Sequence, residues 1–210
     1  MKIYKYQTIN INLLKSLQKK MIWYSRMDRL NDPYELFFID NTGTDIYIDF
    51  RKTLCVSCFS KNRDEILMWS HYANNHKGIC LEWDIDFEKM KGSLFEIDYN
   101  KDITILQKVD LLDSGHLSIN IKTNGKFLLS KFKTWAYEEE LRIFRIVEDL
   151  SKIGIYCEFP GKLTTIYFGT NTLKDDIDLV KHNSKHFQDI KYFKVDFNTE
   201  TMKNDKITQV

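Results

Sequence analysis

The sequence predicts an α+β domain, a mixed or antiparallel sheet flanked by helices over residues 1–197, followed by a polar C-terminal tail over 198–210. Three observations carry that expectation. Short runs that alternate in hydropathy, or are wholly apolar, recur along the chain with a few helical-period segments between them. No linker, repeat or low-complexity stretch interrupts the 210 residues, which include only two Pro and eight Gly. An apolar fraction of 43%, with 14% aromatic residues, is enough to build a sizeable core.

Taken in order, Ile3–Tyr6 alternates as a short strand, and Asn10 or Asn12 can cap a helix running to about Lys20 through Leu13, Leu14 and Leu17. Met21–Ser25 is rich in strand-favouring residues. Leu30-Asn31-Asp32-Pro33-Tyr34-Glu35 reads as a turn, because Pro33 drives Asp32 out of the helical region and Asn and Asp bond nearby backbone. That turn either serves structure alone or presents Asp32, Tyr34 and Glu35 to a ligand. A second turn falls at 41–44. Leu54–Ser60 is nearly all apolar, as a strand buried on both faces should be. Asn62 with Glu65 fits a capping box opening a helix over Arg63–Asn74, with Ile66, Trp69, Ser70 and Ala73 on one face and Leu67 and His71 on another. Gly78 can supply the positive-φ ending, and Ile79–Asp84 alternates as the next strand.

The middle of the chain is less regular. Gly92–Tyr99 reads as a strand and Asp102–Asp113 as a helix through Ile105, Leu106, Val109 and Leu112. Leu117, Ile119 and Ile121 alternate ahead of Asn124-Gly125, which fits a hairpin, while Phe127, Leu128 and Phe132 fit a helix, the preferred reading. Ile153–Phe159 and Leu163–Phe168 are strands, Leu173–His182 is a helix, and Asp189–Phe197 is a last strand before a tail expected to fray.

Composition excludes some functions. Lys and Arg total 31 against 30 Asp and Glu, so net charge points to neither nucleic acid nor membrane, although a local basic patch remains compatible with it. No apolar run reaches the roughly 20 residues that span a bilayer, and the first ten residues hold no signal-peptide core. Four Cys in a chain of this size do not form a disulfide framework, so a reducing, cytoplasmic setting is expected. Cys55-x2-Cys58 followed by His71-x4-His76 has zinc-finger spacing. Asn62 and Met68 occupy the places where a finger needs an aromatic and a Leu, and an odd separation on a strand sends the two Cys to opposite faces. No metal is expected. There is no phosphate loop, no Gly-x-Gly-x-x-Gly and no Gly-x-Ser-x-Gly.

The densest concentration of chemistry is Lys131–Val147, where Trp135, Tyr137, Glu138, Glu139, Glu140 and Arg142 lead into an alternating apolar strand. On a strand, Glu138, Glu140 and Arg142 share a face and Glu139 points away. The same geometry serves a structural ion-pair ladder, or a site in which one carboxylate steadies a cationic centre and the other takes a proton from a nucleophile.

Three segments together carry a resemblance: Leu30-Asn31-Asp32-Pro33-Tyr34-Glu35; Met68-Trp69-Ser70-His71-Tyr72-Ala73 with Lys77-Gly78-Ile79-Cys80-Leu81; and Lys131-x3-Trp135-x2-Glu138-x-Glu140-x-Arg142. They resemble the Asn-Asp-Pro-x-Glu, Met-Trp-x-His-Tyr and Trp-x-x-Glu-x-Glu-x-Arg motifs of an uncharacterised bacterial family known as a domain of unknown function, for which an association with phage-defence or toxin loci would be in character. The element order is also distantly similar to that of the ADP-ribosyltransferases, which implies a split sheet and NAD as substrate. By that resemblance Glu140 would hold the ribose as an oxocarbenium-like centre develops, and Glu138 would prepare the acceptor. Ser57 or Ser60 would stand for the central-strand serines, although Ser57-Cys58-Phe59-Ser60 is not Ser-Thr-Ser. Lys5 or Tyr6, with Arg26 as substitute, would stand for the basic first-strand residue. Trp69 and Tyr72 would line the NAD cleft, with Asn31, Asp32, Tyr34, Glu35, His71, Trp135 and Arg142 around it. The alternatives are a non-catalytic module that stacks a nucleotide or nucleic-acid base on Trp23, Trp69, Tyr72 and Trp135, and an interaction protein in which the Trp-Glu-Arg cluster only locks strand to helix.

Overall fold

The structure, a computed structural model, describes residues 1–32, 38–40, 52–99, 104–106, 112–113, 116–117, 128–201 and 203–210. Strand β1 (Lys2–Gln7) leads to helix α1 (Ile11–Lys19) and strand β2 (Met21–Arg26). Asn10 caps α1 by accepting from the Asn12 and Leu13 amides, both at 3.0 Å, which satisfies two of the helix's orphan donors. Lys20 ends it with φ of 54°. After β3 (Phe38–Asp40) come β4 (Leu54–Ser60), α2 (Ile66–Tyr72), β5 (Ile79–Asp84), α3 (Phe87–Met90) and β6 (Leu94–Glu96). Three short strands follow, β7 (Thr104–Leu106), β8 (Leu112–Asp113) and β9 (His116–Leu117). A 3-10 turn, Lys133–Glu138, then delivers the chain into β10 (Glu140–Ile146). The remainder is β11 (Gly154–Glu158), β12 (Lys162–Phe168), α4 (Lys174–Ser184), β13 (Lys191–Asn198) and β14 (Lys203–Gln209).

Ten of these strands form one mixed, open sheet in the order β11-β2-β4-β1-β5-β12-β13-β14, with β10 against β4 and β6 against β10. Its one parallel pair is β12 with β13, and α4 supplies the crossover that parallel strands need. Helices α1 and α4 cover one face, where Leu13, Leu17, Ile177 and Val180 pack with Ile3, Leu81, Trp83 and Phe168. On the other face α2 sets Met68, Trp69 and Ala73 against Tyr6, Cys80 and Tyr167. Among the described residues no helix is long and apolar enough to cross a membrane.

The detail that positions the site is a fork in the sheet. Strand β10 occupies one edge of β4 from end to end, with Glu140 opposite Ser60 and Ile146 opposite Leu54. The other edge is shared: β2 pairs Ser25 and Arg26 with Val56 and Cys55, whereas β1 pairs Tyr4 with Ser60. Between those registers, at Cys58, β1 and β2 part.

Several expectations from the sequence are corrected. Helix α2 is shorter than Arg63–Asn74, and its cap is Glu65, which accepts from the Leu67 amide. Asn62 instead closes a local turn on the Asp64 amide at 2.9 Å. Gly78 does not have positive φ; Asn74, Asn75 and His76 do. Glycine is required at 78 because a Cβ there would overlap the Gln7 carbonyl. Where a helix was expected over 102–113, Thr104–Leu106 is a strand paired in parallel with β3 and Leu112–Asp113 a strand paired with β9. Four apolar residues at helical spacing fit a short strand pair as well, and pairing decides. The segment expected as a tail holds a strand: β14 pairs with β13, Val195 opposite Ile207, and buries Asn204. Its polarity is that of a charged edge strand. Glu138 is not on a strand; it ends the 3-10 turn, and Glu139, with φ of 42°, swings the chain into β10. Pro33, Tyr34 and Glu35, the turn at 41–44, and the Ile119–Gly125 hairpin lie outside the described residues.

Candidate functional site

At the fork the sheet opens into a cavity of about 290 Å³ on the face that carries α2. Strand β1 contributes Tyr4 to Gln7, β2 contributes Trp23 and Ser25, and β4 contributes Val56 and Cys58 to Ser60. Helix α2 adds Met68 and Tyr72, Leu30 and Asn31 come from the turn after β2, and Lys131, Glu138, Glu140 and Arg142 complete the wall. Strand period explains most of the selection: Val56, Cys58 and Ser60 alternate with Cys55 and Phe59, which belong to the main core, and Phe59 lines the cavity as well.

The charged wall is a connected network. Arg142, fully buried, grips Glu140 bidentately with Nε to Oε1 at 2.8 Å and a terminal nitrogen to Oε2 at 3.0 Å, and donates to the Leu128 carbonyl at 2.8 Å. Lys131 donates to Glu138 Oε2 at 2.6 Å and lies 3.5 Å from Glu140 Oε2, so one ammonium serves both carboxylates. Tyr72 donates to Glu138 Oε1 at 2.5 Å and accepts from Asn31 at 3.1 Å. The Glu140 amide donates to Tyr99 Oη at 2.8 Å. Lys131 also lies 4.7 Å from the centre of the Trp135 ring.

These surroundings drive the two carboxylates apart. Burial works against ionisation of Glu140, but the Arg142 guanidinium and the Lys131 ammonium outweigh it and hold that carboxyl well below the usual carboxylate range. For Glu138 burial prevails, and the neighbouring Glu140 charge adds to it, so its proton affinity is raised despite Lys131 and Tyr72. Burial, with Glu138 beside it, pushes the Tyr72 hydroxyl up and keeps it a donor. Burial likewise lowers Lys5 and raises the Cys58 thiol. A carboxylate held ionised beside one that binds a proton more readily is the arrangement that separates charge stabilisation from proton transfer.

Of the residues singled out in the sequence, Glu138, Glu140, Arg142, Lys5, Tyr6, Trp23, Ser60, Tyr72 and Asn31 meet in this cavity. Others do not. Ser57 points to the opposite side of β4, buried, with its hydroxyl unpaired. Arg26 is a clamp elsewhere: it binds Asp28 through two nitrogens and the Leu150 and Lys152 carbonyls, tying β2 to the loop before β11. Trp69 is core, edge-on to Tyr6 at 5.2 Å, with its indole N–H on the Arg63 carbonyl. His71 is exposed beside Tyr72 and Tyr137, and Trp135 covers Lys131 from outside the cavity. Asp32 is buried but does not line the cavity. Lys131 belongs to the resembling segment but was given no role in the site, and it lines the cavity. It opens the same charged segment, seven residues before Glu138, and a buried carboxylate pair calls for a shared cation.

Comparison with curated proteins and with solved structures found no match. Residues 68–143, which carry Tyr72, Lys131, Glu138, Glu140 and Arg142, match the model of a protein family of unknown function, DUF2971.

Proposed function

We propose that the cavity cleaves the N-glycosidic bond of NAD and passes the ADP-ribosyl group to an acceptor or to water. The observation that carries this reading is the meeting of Glu140, Glu138 and Ser60 at one fork, with Glu140 directly across the ladder from Ser60. As the C1′–N bond breaks, its electron pair leaves with nicotinamide and positive charge develops on the ribose. Glu140, held ionised, faces that charge as a fixed counter-ion. The acceptor oxygen then bonds C1′, and its proton passes to Glu138, whose raised affinity suits it to receive one. Tyr72 and Lys131 fix the Glu138 carboxylate in position. A cavity of about 290 Å³ lies near the small end of ligand pockets and takes the nicotinamide–ribose half, leaving the remainder of NAD at the mouth.

The test is nicotinamide release from NAD, followed by chromatography. Glu138→Gln retains hydrogen-bonding partners in Tyr72 and Lys131, and should lower release by about 10²–10⁴ while melting close to the wild type. Glu140→Gln should abolish release, assayed at a temperature where circular dichroism shows it folded. Wild-type release no greater than buffer, or equal release from wild type and both variants, would sink the proposal.

One observation favours a second reading, a non-catalytic nucleotide-binding module: both carboxylates are already hydrogen-bonded within the protein. It predicts that nucleotides raise the melting temperature according to RT ln(1 + [L]/Kd), with no turnover.

A further inference from the structure

The two ends of the large sheet are finished differently. At one end β14 carries Lys203, Asp205 and Lys206, charges that discourage further strand pairing. At the other end β11, Gly-Ile-Tyr-Cys-Glu, holds one charged residue, Glu158, and among the described residues it pairs with β2 alone. The Arg26 amide donates to the Ile153 carbonyl at 3.0 Å, so Ile153, Ile155 and Cys157 turn their backbone groups toward β2. Those of Gly154, Tyr156 and Glu158 face outward along the edge. The approach to β11 is apolar and open. Ile153 is 55% exposed, and Leu150, whose carbonyl also meets Arg26, is exposed as well. Single exposed apolar side chains are ordinary, but two beside an outward-facing strand edge mark a surface suited to pairing.

We propose that β11 pairs antiparallel with β11 of a second copy of this chain, about a two-fold axis at Ile155. Charge selects this register. With Ile155 on the axis, Gly154 lies opposite Tyr156 of the second copy and exchanges backbone hydrogen bonds with it, and Lys152 lies opposite Glu158, once in each half. Lys152 and Glu158 are both exposed, and the contact of Lys152 with Asp149 is long, at 3.7 Å. Moving the axis to Gly154 or to Tyr156 puts Glu158 opposite Leu150 or Gly154 and loses both ion pairs. An isologous contact of this kind closes after two chains. The joined sheet keeps each face continuous, so the two fork cavities would lie on one side. Each has Trp23 in its wall, and Tyr156, edge-on to Trp23 at 5.0 Å, stands between that wall and the shared seam. The inference rests on no ligand and no reaction.

Sedimentation and light scattering of the full chain should show a dimer at micromolar concentration. Glu158→Lys and Lys152→Glu, each on the surface, set like charges opposite one another and should each weaken dimerisation about tenfold or more, and the double variant should restore it. Register is read with Ile153→Cys, which the pairing places opposite Cys157 of the second copy. That is a non-hydrogen-bonded pair, with Cα atoms about 4.5 Å apart and within disulfide range. Within one chain the same two positions lie too far apart along the strand to be bridged. Mild oxidation should link two chains, and adding Cys157→Ser should abolish the link. Thermal melts establish that the variants are folded. A wild type that stays monomeric, a dimer indifferent to both single charge reversals, no link, or a link that survives Cys157→Ser would overturn the assignment; the first of these leaves the edge to a different partner. A dimer without nicotinamide release would leave it standing and remove only the proposed transferase activity.

Discussion

Arg142→Met tests the central claim about the charged wall, that Glu140 is held ionised by a fully desolvated partner. Arg142 has no exposed surface and supplies two of the hydrogen bonds to Glu140. Removing one member of a buried pair strands the other, at a cost of about 3–5 kcal/mol. The Leu128 carbonyl loses its donor as well, while Lys131, 3.5 Å from Glu140, keeps part of the compensation. For a domain of this size about 2–4 °C of melting temperature corresponds to each kcal/mol, so the variant should melt roughly 6–20 °C below the wild type. The pH dependence carries the sharper test. In the wild type the folded pKa of Glu140 lies below its unfolded value near ~4.3, so the pair stabilises above that pH and the contribution is lost as pH falls through the folded value. Glu138 runs the other way: its folded pKa is raised, so its contribution is full below the unfolded value and is lost as pH rises. Without Arg142 the Glu140 carboxyl takes up a proton more readily, and the gap between variant and wild type should narrow in acid. Urea melts at pH 7 and pH 4.5 measure both, and Arg142→Met/Glu140→Gln should recover much of the loss because neither charge is then stranded. A loss under about 1 kcal/mol at pH 7, or a gap that widens in acid, would refute the reasoning.

Two predictions concern the frame around the site. Gly78→Ala should destabilise by at least about 1–3 kcal/mol in chemical denaturation, because its Cβ meets backbone carbonyl and not a movable side chain; a change within 0.5 kcal/mol would contradict the close approach of β1. Truncation after Thr201 removes β14, uncovers the edge of β13 beside buried Val195, and should lower the melting temperature and promote self-association. Light scattering showing the wild-type oligomeric state, with wild-type stability, would restore the view that this segment is a passive tail.

What could be read from the sequence followed from local physics. A cap at Asn10 or Asn12 (it is Asn10), Leu54–Ser60 as a doubly buried strand and the alternation of Ile79–Asp84 each depend on a few adjacent residues, and each appears in the fold. Glu140 and Arg142 share a face because strand period alone puts them there. The failures were non-local. That Ser60 and not Ser57 reaches the cavity depends on which face of β4 the fork opens. That Arg26 turns away depends on the Leu150 and Lys152 carbonyls, more than 120 residues distant. Glu138 reached the expected site by an unexpected route. Seen as a strand residue it needed two-residue spacing from Glu140; in the fold the left-handed turn at Glu139 does the same work.

The hydrogen bonding also decides which carboxylate could do what. An ionised carboxylate has about four acceptor positions. Glu140 gives two to Arg142, has Lys131 at 3.5 Å, and takes a further contact from the Cys58 thiol. Attack by this oxygen on a ribosyl carbon would require releasing the guanidinium, at a cost comparable with breaking the buried pair. Glu140 is therefore suited to act through its charge, without leaving its place. Glu138 engages only Tyr72 and Lys131 among the described residues, each through one oxygen, and keeps acceptor capacity toward the cavity. In the proposed reaction proton traffic falls to Glu138 and electrostatic support to Glu140, the same division that the resemblance implied.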